Sequence, residues 1–219
     1  MRMLAGLGLT LMLVGISVTL GFLLAYPIAQ ARLGGPWYLN GPAYAFINFF
    51  RGTPLLAQLY LVYYGSGQFR PFLADIGLWT FFRDAFFCAI LTFTLNTAAY
   101  QAEVFRGALL SVPRGQVEAA KALGLSRFRI NRHIVWPQAL MVALRPLGNE
   151  LILMVKASSI ASLVTLYDLM GATKLAFARS FDLSVYVYAA IVYLAIVETI
   201  RRIWNLMEQR LLRHQLVAR

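Results

Sequence analysis

From Met3 to Ala31 the chain runs without one charged side chain. This run narrows the possible folds more than any other feature. A helix of about 20 apolar residues crosses the hydrocarbon core of a bilayer, and a helix also satisfies its own backbone polar groups there. The run far exceeds the apolar core of a cleaved signal peptide, about 7–15 residues. It is therefore predicted to stay in place as a first membrane helix. Four more apolar stretches follow, and the predicted spans are 4–29, 46–65, 85–110, 147–170 and 185–203. Pro27 and Arg32 are expected to close the first. Only 13% of residues are charged and the mean hydropathy is +0.66, against about 25% charged in a soluble domain. That is too little charge for a water-facing surface, so the predicted class is an all-α integral membrane protein with about five transmembrane helices in a single domain, 1–219.

The net charge of +11 raises nucleic-acid binding as a possibility, but no motif of that kind accompanies it. Basic residues in membrane proteins gather instead in cytoplasmic loops and orient the chain. Arg114, Lys121, Arg127, Arg129 and Arg132 lie between the third and fourth spans, and Arg201, Arg202, Arg210, Arg213 and Arg219 follow the fifth. Arg2, Arg70, Arg83, Lys174 and Arg179 fall on the opposite side. With five crossings this puts the N-terminus outside and the C-terminus in the cytoplasm. The single cysteine, Cys88, rules out a disulfide within the chain, and His133 and His214 are too far apart in sequence to suggest a metal site. The three lysines, Lys121, Lys156 and Lys174, do not follow glycine, so no phosphate-cradling Gly-Lys-Ser/Thr loop exists. Nor does any Ser/His/Asp or Cys/His set suggest an enzyme.

The segment 111–137 differs from its surroundings. Glu118, Ala119, Ala120, Lys121, Ala122 and Leu123 favour helix, Gly124 suits a left-handed helix end, and Ser126 suits the N-cap of a second helix. Pro137 is expected to end that second helix. Small alanines allow close approach, Val117, Leu123 and Leu125 offer apolar contact, and Arg127, Arg129 and Arg132 rim it. Two readings fit this composition: a short helix that docks in a partner's groove, or an amphipathic helix on anionic lipid.

Polar residues within spans are costly and usually face a cavity or a partner. Asn96, Tyr100 and Glu103 recur at i, i+4 and i+7 along the third span, a spacing that places them on one face. They can line a path for a polar solute, although Glu103 is also placed to pair with Arg106. Lys156, with Ser158 and Ser159, interrupts the fourth span. It can meet a carboxylate, pair with Glu150 or Glu103, or cap carbonyls where the helix ends. Glu198 is expected to pair with Arg201 and Arg202. Asp168 and Asp182 read as solvated loop charges, and Gly6, Gly8, Gly15 and Gly21 as sites of close helix packing.

The spacing Glu118-Ala119-Ala120, Gly124, Ile134, Pro137 resembles the "EAA" loop of ABC importer permeases, with Trp136 where that family usually carries leucine. "FFRGTPLLAQLYLVYYG", "TLNTAAYQAEVFRGALLSVPRGQVEAAKALG" and "NELILMVKASSIASLV" are similar to permeases for polar amino acids, in particular the histidine, lysine–arginine–ornithine and opine types. The resemblance covers nearly the whole chain and implies the type I importer permease fold. It implies that Glu118, Ala119, Ala120, Gly124, Arg127, Ile134 and Pro137 couple the membrane subunit to a separate ATPase. It implies two permease subunits, identical or paralogous, two ATPase subunits and a periplasmic solute-binding protein, in the inner membrane. ATP and Mg would be held by the partner ATPase, with no cofactor on this chain. The cargo would be a polar or cationic amino acid or an opine, moved by alternating access. The rival expectation is a gradient-driven secondary transporter or channel for small polar solutes, which would need no docking loop.

Overall fold

A computed structural model describes the backbone of residues 2–216 and the side chains of residue 3 and residues 5–211. Arg219, and the side chains of Arg2, Arg213 and His214, lie outside the described residues. Helix α1, Arg2–Gly34, is 33 residues long, or about 50 Å, and exceeds a hydrocarbon core of about 30 Å. Pro27 does not close it, because a membrane helix packed against its neighbours tolerates one missing donor. Helix α2, Trp37–Gly52, is followed by α3, Leu55–Tyr63. Three short helices, α4 Gly65–Gln68, α5 Arg70–Asp75 and α6 Trp79–Phe82, lead to α7, Ala85–Leu110. After α7 come α8, Arg114–Ala122, and α9, Arg127–Ile130. A π-helical turn, Asn131–Val135, joins α9 to α10, Trp136–Ala157, and a 3-10 stretch, Ser158–Leu163, extends α10. Helices α11, Leu169–Ser180, and α12, Ser184–Leu216, complete the described chain.

Among the described residues, four stretches are long and apolar enough to cross a membrane: Ala5–Gly34, Ala85–Leu110, Arg127–Leu163 and Ser184–Leu211. The predicted span 46–65 is not one helix. Pro54 has no N–H to donate and holds Thr53 in extended backbone (φ −114, ψ 148), which parts α2 from α3. The predicted span 147–170 is also displaced. Its helix starts at Trp136, passes into 3-10 geometry at Ser158, and has ended well before Met170. Pro137 falls at the N-terminal end of α10 rather than stopping a helix. The wider π turn just before it absorbs the missing donor, with Trp136 N–H donating to Asn131 O.

Helix α7 forms the centre, packed by α1 along most of its length and by α10, α2 and α3. Close approach of α1 occurs at Gly21, where a Cβ would collide with the Thr97 Cγ2 methyl. Gly6 is crowded likewise by the Asp168 carbonyl, whereas Gly8 and Gly15 face open space and make no close packing. Two apolar clusters fill the bundle. One holds Ala25, Ala29, Ala102, Phe105, Ala143 and Leu147, and the other Leu13, Leu59, Phe93, Met154 and Val155. Between them on α7 and α10 lies a polar layer of Asn96, Thr97, Gln101 and Glu150, all buried.

Candidate substrate path and docking surface

The break between α2 and α3 leaves carbonyls without helical partners, and the polar layer supplies them. The two N–H groups of Gln58 Nε2 are shared among Phe50 O (2.9 Å), Thr53 O (3.1 Å) and Thr53 Oγ1 (2.8 Å). Asn96 Nδ2 on α7 donates to Phe50 O and to Gln58 Oε1, both at 3.0 Å. The break is thereby fixed against α7. Beside it opens a cavity of about 280 Å³ lined by Thr53, Pro54 and Leu55, by Asn96 and Tyr100, and by Glu150, Leu153, Met154 and Ala157.

Two opposite electrical features meet at this cavity. Helix α3 begins at its wall with no side-chain cap, so its free N–H groups and positive end favour an anionic group. On α10, Glu150 is 9% exposed and accepts from Thr97 Oγ1 at 3.3 Å. Thr97 Oγ1 in turn accepts from Gln101 Nε2 at 2.9 Å. The Arg51 guanidinium lies 5.3 Å from the centroid of the Tyr100 ring, at one edge of the cavity. A solute carrying a carboxylate and a cationic group finds a complement for each.

Of the path residues expected from sequence, Asn96 and Tyr100 line the cavity. Glu103 does not. Its carboxylate holds the Arg106 guanidinium one turn further on, through Nε and Nη2. Lys156 is exposed and pairs with neither Glu150 nor Glu103. Ser158 Oγ donates to Val155 O and Ser159 Oγ to Lys156 O, both at 2.8 Å, so these hydroxyls serve the helix end. Gln58 and Thr97 belong to the site although the spacing of polar residues does not single them out. The signal available for them is polarity inside two apolar runs, shortly after a Thr-Pro pair in the case of Gln58.

In segment 111–137 the local expectations of helix and cap are met. Gly124 is left-handed (φ +74), and Leu125 N–H reaches back to Ala120 O at 3.1 Å. Ser126 Oγ accepts from Arg129 N–H. Glu118, Ala119, Gly124 and Arg127 are exposed, Ile134 is half-buried, and Pro137 is exposed at the start of α10. Ala120 points inward at 3% exposure, so the small face offered outward consists of Ala119 and Ala122. Leu123 and Phe128 are the prominent apolar side chains, 80% and 74% exposed. Lys121, Arg127, Arg129 and Arg132, all exposed, flank them along the chain.

Elsewhere, Glu198 holds Arg201 and Arg202 as expected. Asp182 is exposed, but Asp168 is not a solvated loop charge. It is buried and caps α11, with Oδ1 accepting from Gly171 N–H at 2.9 Å. Burial pushes its carboxyl up to about 6 from an ordinary value of 3.8, partly offset by backbone N–H donors and by Lys174.

A helical bundle with a solute-sized cavity of mixed polar and apolar lining between interrupted and continuous helices, and a basic helical elbow outside it, has the build of a membrane transport subunit. Its relatives narrow the class. Residues 7–213 match the family of binding-protein-dependent transport system inner membrane components, and the chain belongs to that family. It is thus a multi-pass inner-membrane transport component rather than an enzyme, and it works with a separate solute-binding protein and an ATPase. It is 41% identical over 208 residues to the nopaline transport system permease protein of Agrobacterium fabrum, covering 94% of this chain and 86% of that protein. It is 37% identical over 210 residues to the histidine/lysine/arginine/ornithine transport system permease protein of Escherichia coli K12, covering 95% and 88%. The solved structure of an amino acid ABC transporter with histidines superposes with a TM-score of 0.84 at 31% identity, covering 95% and 94%. The fold is that of a type I ABC importer permease.

Proposed function

We propose that this chain passes a polar or cationic amino acid, or an opine, through the cavity between α7 and α10, as one of two permease subunits of an ATP-driven importer. The observation that carries this is the pairing of the uncapped α3 N-terminus with the buried Glu150 carboxylate on the same cavity. Amino acids and opines carry both charges such a site complements. Interrupted helices that present a dipole end to substrate are a recurrent way to build solute sites at membrane depth.

In this account α2 and α3 together make one interrupted crossing, giving five. The Lys/Arg bias then places the N-terminus outside and segment 111–137 and the C-terminus in the cytoplasm. Helix α8 with Glu118, Ala119 and Ala120, the turn at Gly124, and Arg127, Ile134 and Pro137 form the element on which the ATPase docks. ATP and Mg belong to that partner. Closure of the ATPases moves the element and reopens the cavity to the other side, while the periplasmic solute-binding protein delivers cargo.

The test is uptake by the reconstituted complex carrying Glu150→Gln. The amide keeps the size and the Thr97 contact but removes the charge. Uptake of cationic cargo is expected to fall about tenfold or more in apparent affinity, the scale of one charge-assisted hydrogen bond. Uptake of arginine or an opine unchanged by Glu150→Gln would refute the cavity as the path.

A further inference from the structure

Gln138 stands one residue after Pro137, on the first turn of α10, and its side chain reaches two other elements. Nε2 donates to Gln116 Oε1 of α8 at 2.6 Å and to Ile134 O of the π turn at 2.9 Å. One amide group thus ties the proposed docking helix to the membrane helix across the turn that joins them. We propose that the Gln116–Gln138 hydrogen bond is the link through which displacement of α8 reaches α10, which makes both glutamines positioning residues for transport. This rests on α8 being the ATPase-docking element.

The surroundings give the bond that role. Helix α8 is mostly exposed, with Ala120 as its one buried residue. Its covalent route to α10 runs through the left-handed Gly124, the short α9 and the π turn. A chain of turns bends under load, whereas a side-chain bond from α8 straight to α10 bypasses those joints. Beyond Gln138 the motion has firm tracks. Trp136 stands edge-to-face on Tyr26 of α1, with centroids 4.7 Å apart, and packs on Phe105 of α7 at 5.6 Å. Phe105 is itself 1% exposed. Further along α10, about 18 Å at helical rise, Glu150 lines the cavity. A pull at Gln138 therefore reaches α1, α7 and the cavity wall together. Once a docked partner excludes water, the amide–amide bond strengthens.

The complex, reconstituted in proteoliposomes with its ATPase and solute-binding protein, reports both uptake and phosphate release. Gln116→Ala and Gln138→Ala are each expected to lower solute carried per ATP hydrolysed about fivefold, the weight of one hydrogen bond. The double variant should lose no more than Gln138→Ala alone, which also gives up the bond to Ile134 O. Gln116→Glu with Gln138→Lys, which restores a donor–acceptor pair, should recover the ratio. A purely structural role would not give that rescue. Crosslinking from Ala119→Cys to the ATPase is measured on the same preparations and should persist in every variant. A wild-type ratio in both single variants, or multiplied losses in the double one, would overturn the link. Crosslinking lost only in the glutamine variants would also overturn it, by making them anchors for docking. Crosslinking absent even with both glutamines intact would defeat the docking role itself and the link with it.

Discussion

Replacing Gln58 by leucine tests whether the break between α2 and α3 is held by its polar neighbours. Gln58 is 4% exposed, and its amide nitrogen serves Phe50 O, Thr53 O and Thr53 Oγ1. The losses are unequal. Phe50 O keeps Asn96 Nδ2, and Thr53 Oγ1 still donates to Phe49 O at 2.7 Å. Thr53 O is the acceptor left without a partner, and an orphaned carbonyl of this kind costs about 1–3 kcal/mol. At the middle of that range a chain of this size melts roughly 4–8 °C lower, measured by thermal denaturation in lipid nanodiscs. Gln58→Glu should be worse, since a carboxylate puts an acceptor among acceptors. Its deficit should shrink at acid pH, where the protonated carboxyl regains a donor. Melting indistinguishable from wild type for Gln58→Leu, with equal uptake, would refute this account of the break.

At Gly124, φ is +74, where a β-branched residue costs about 1–2 kcal/mol or more. Gly124→Val is expected to insert normally but hydrolyse ATP without matching uptake, and normal uptake would count against the docking role. Asp168 binds its proton more tightly when folded, so its protonated form adds stability that is full below about 4 and lost as pH rises through about 6. Thermal denaturation between about pH 4 and 7 should therefore show the wild type losing stability relative to Asp168→Asn. The asparagine keeps an oxygen for Gly171 N–H, and parallel curves would contradict the assignment.

What the sequence discloses is largely what is local. The uncharged run of α1, the Glu103–Arg106 and Glu198–Arg201/Arg202 pairs, and the Gly124 turn depend on neighbours within a turn or so, and all are found. The prolines mislead in part. Pro27 and Pro137 read as helix ends, yet packing and a π turn carry the backbone past them. The cavity is half legible. Asn96 and Tyr100 share a face of α7, but the role of Glu150 depends on Thr97, 53 positions away in sequence. Long-range pairing of that kind leaves no periodic trace. Asp168 escapes for the same reason, since its burial comes from α1 packing over the start of α11.

We infer that an ATPase, acting through this chain, drives solute through the cavity beside Glu150. The decisive experiment is uptake of labelled arginine, histidine and opines into proteoliposomes holding this chain alone, or the chain with its partner permease, ATPase and solute-binding protein. Accumulation is expected only in the full assembly, only with ATP on the side of the ATPase, and reduced by Glu150→Gln. Uptake by the chain alone down a solute or ion gradient, indifferent to ATP, would contradict it.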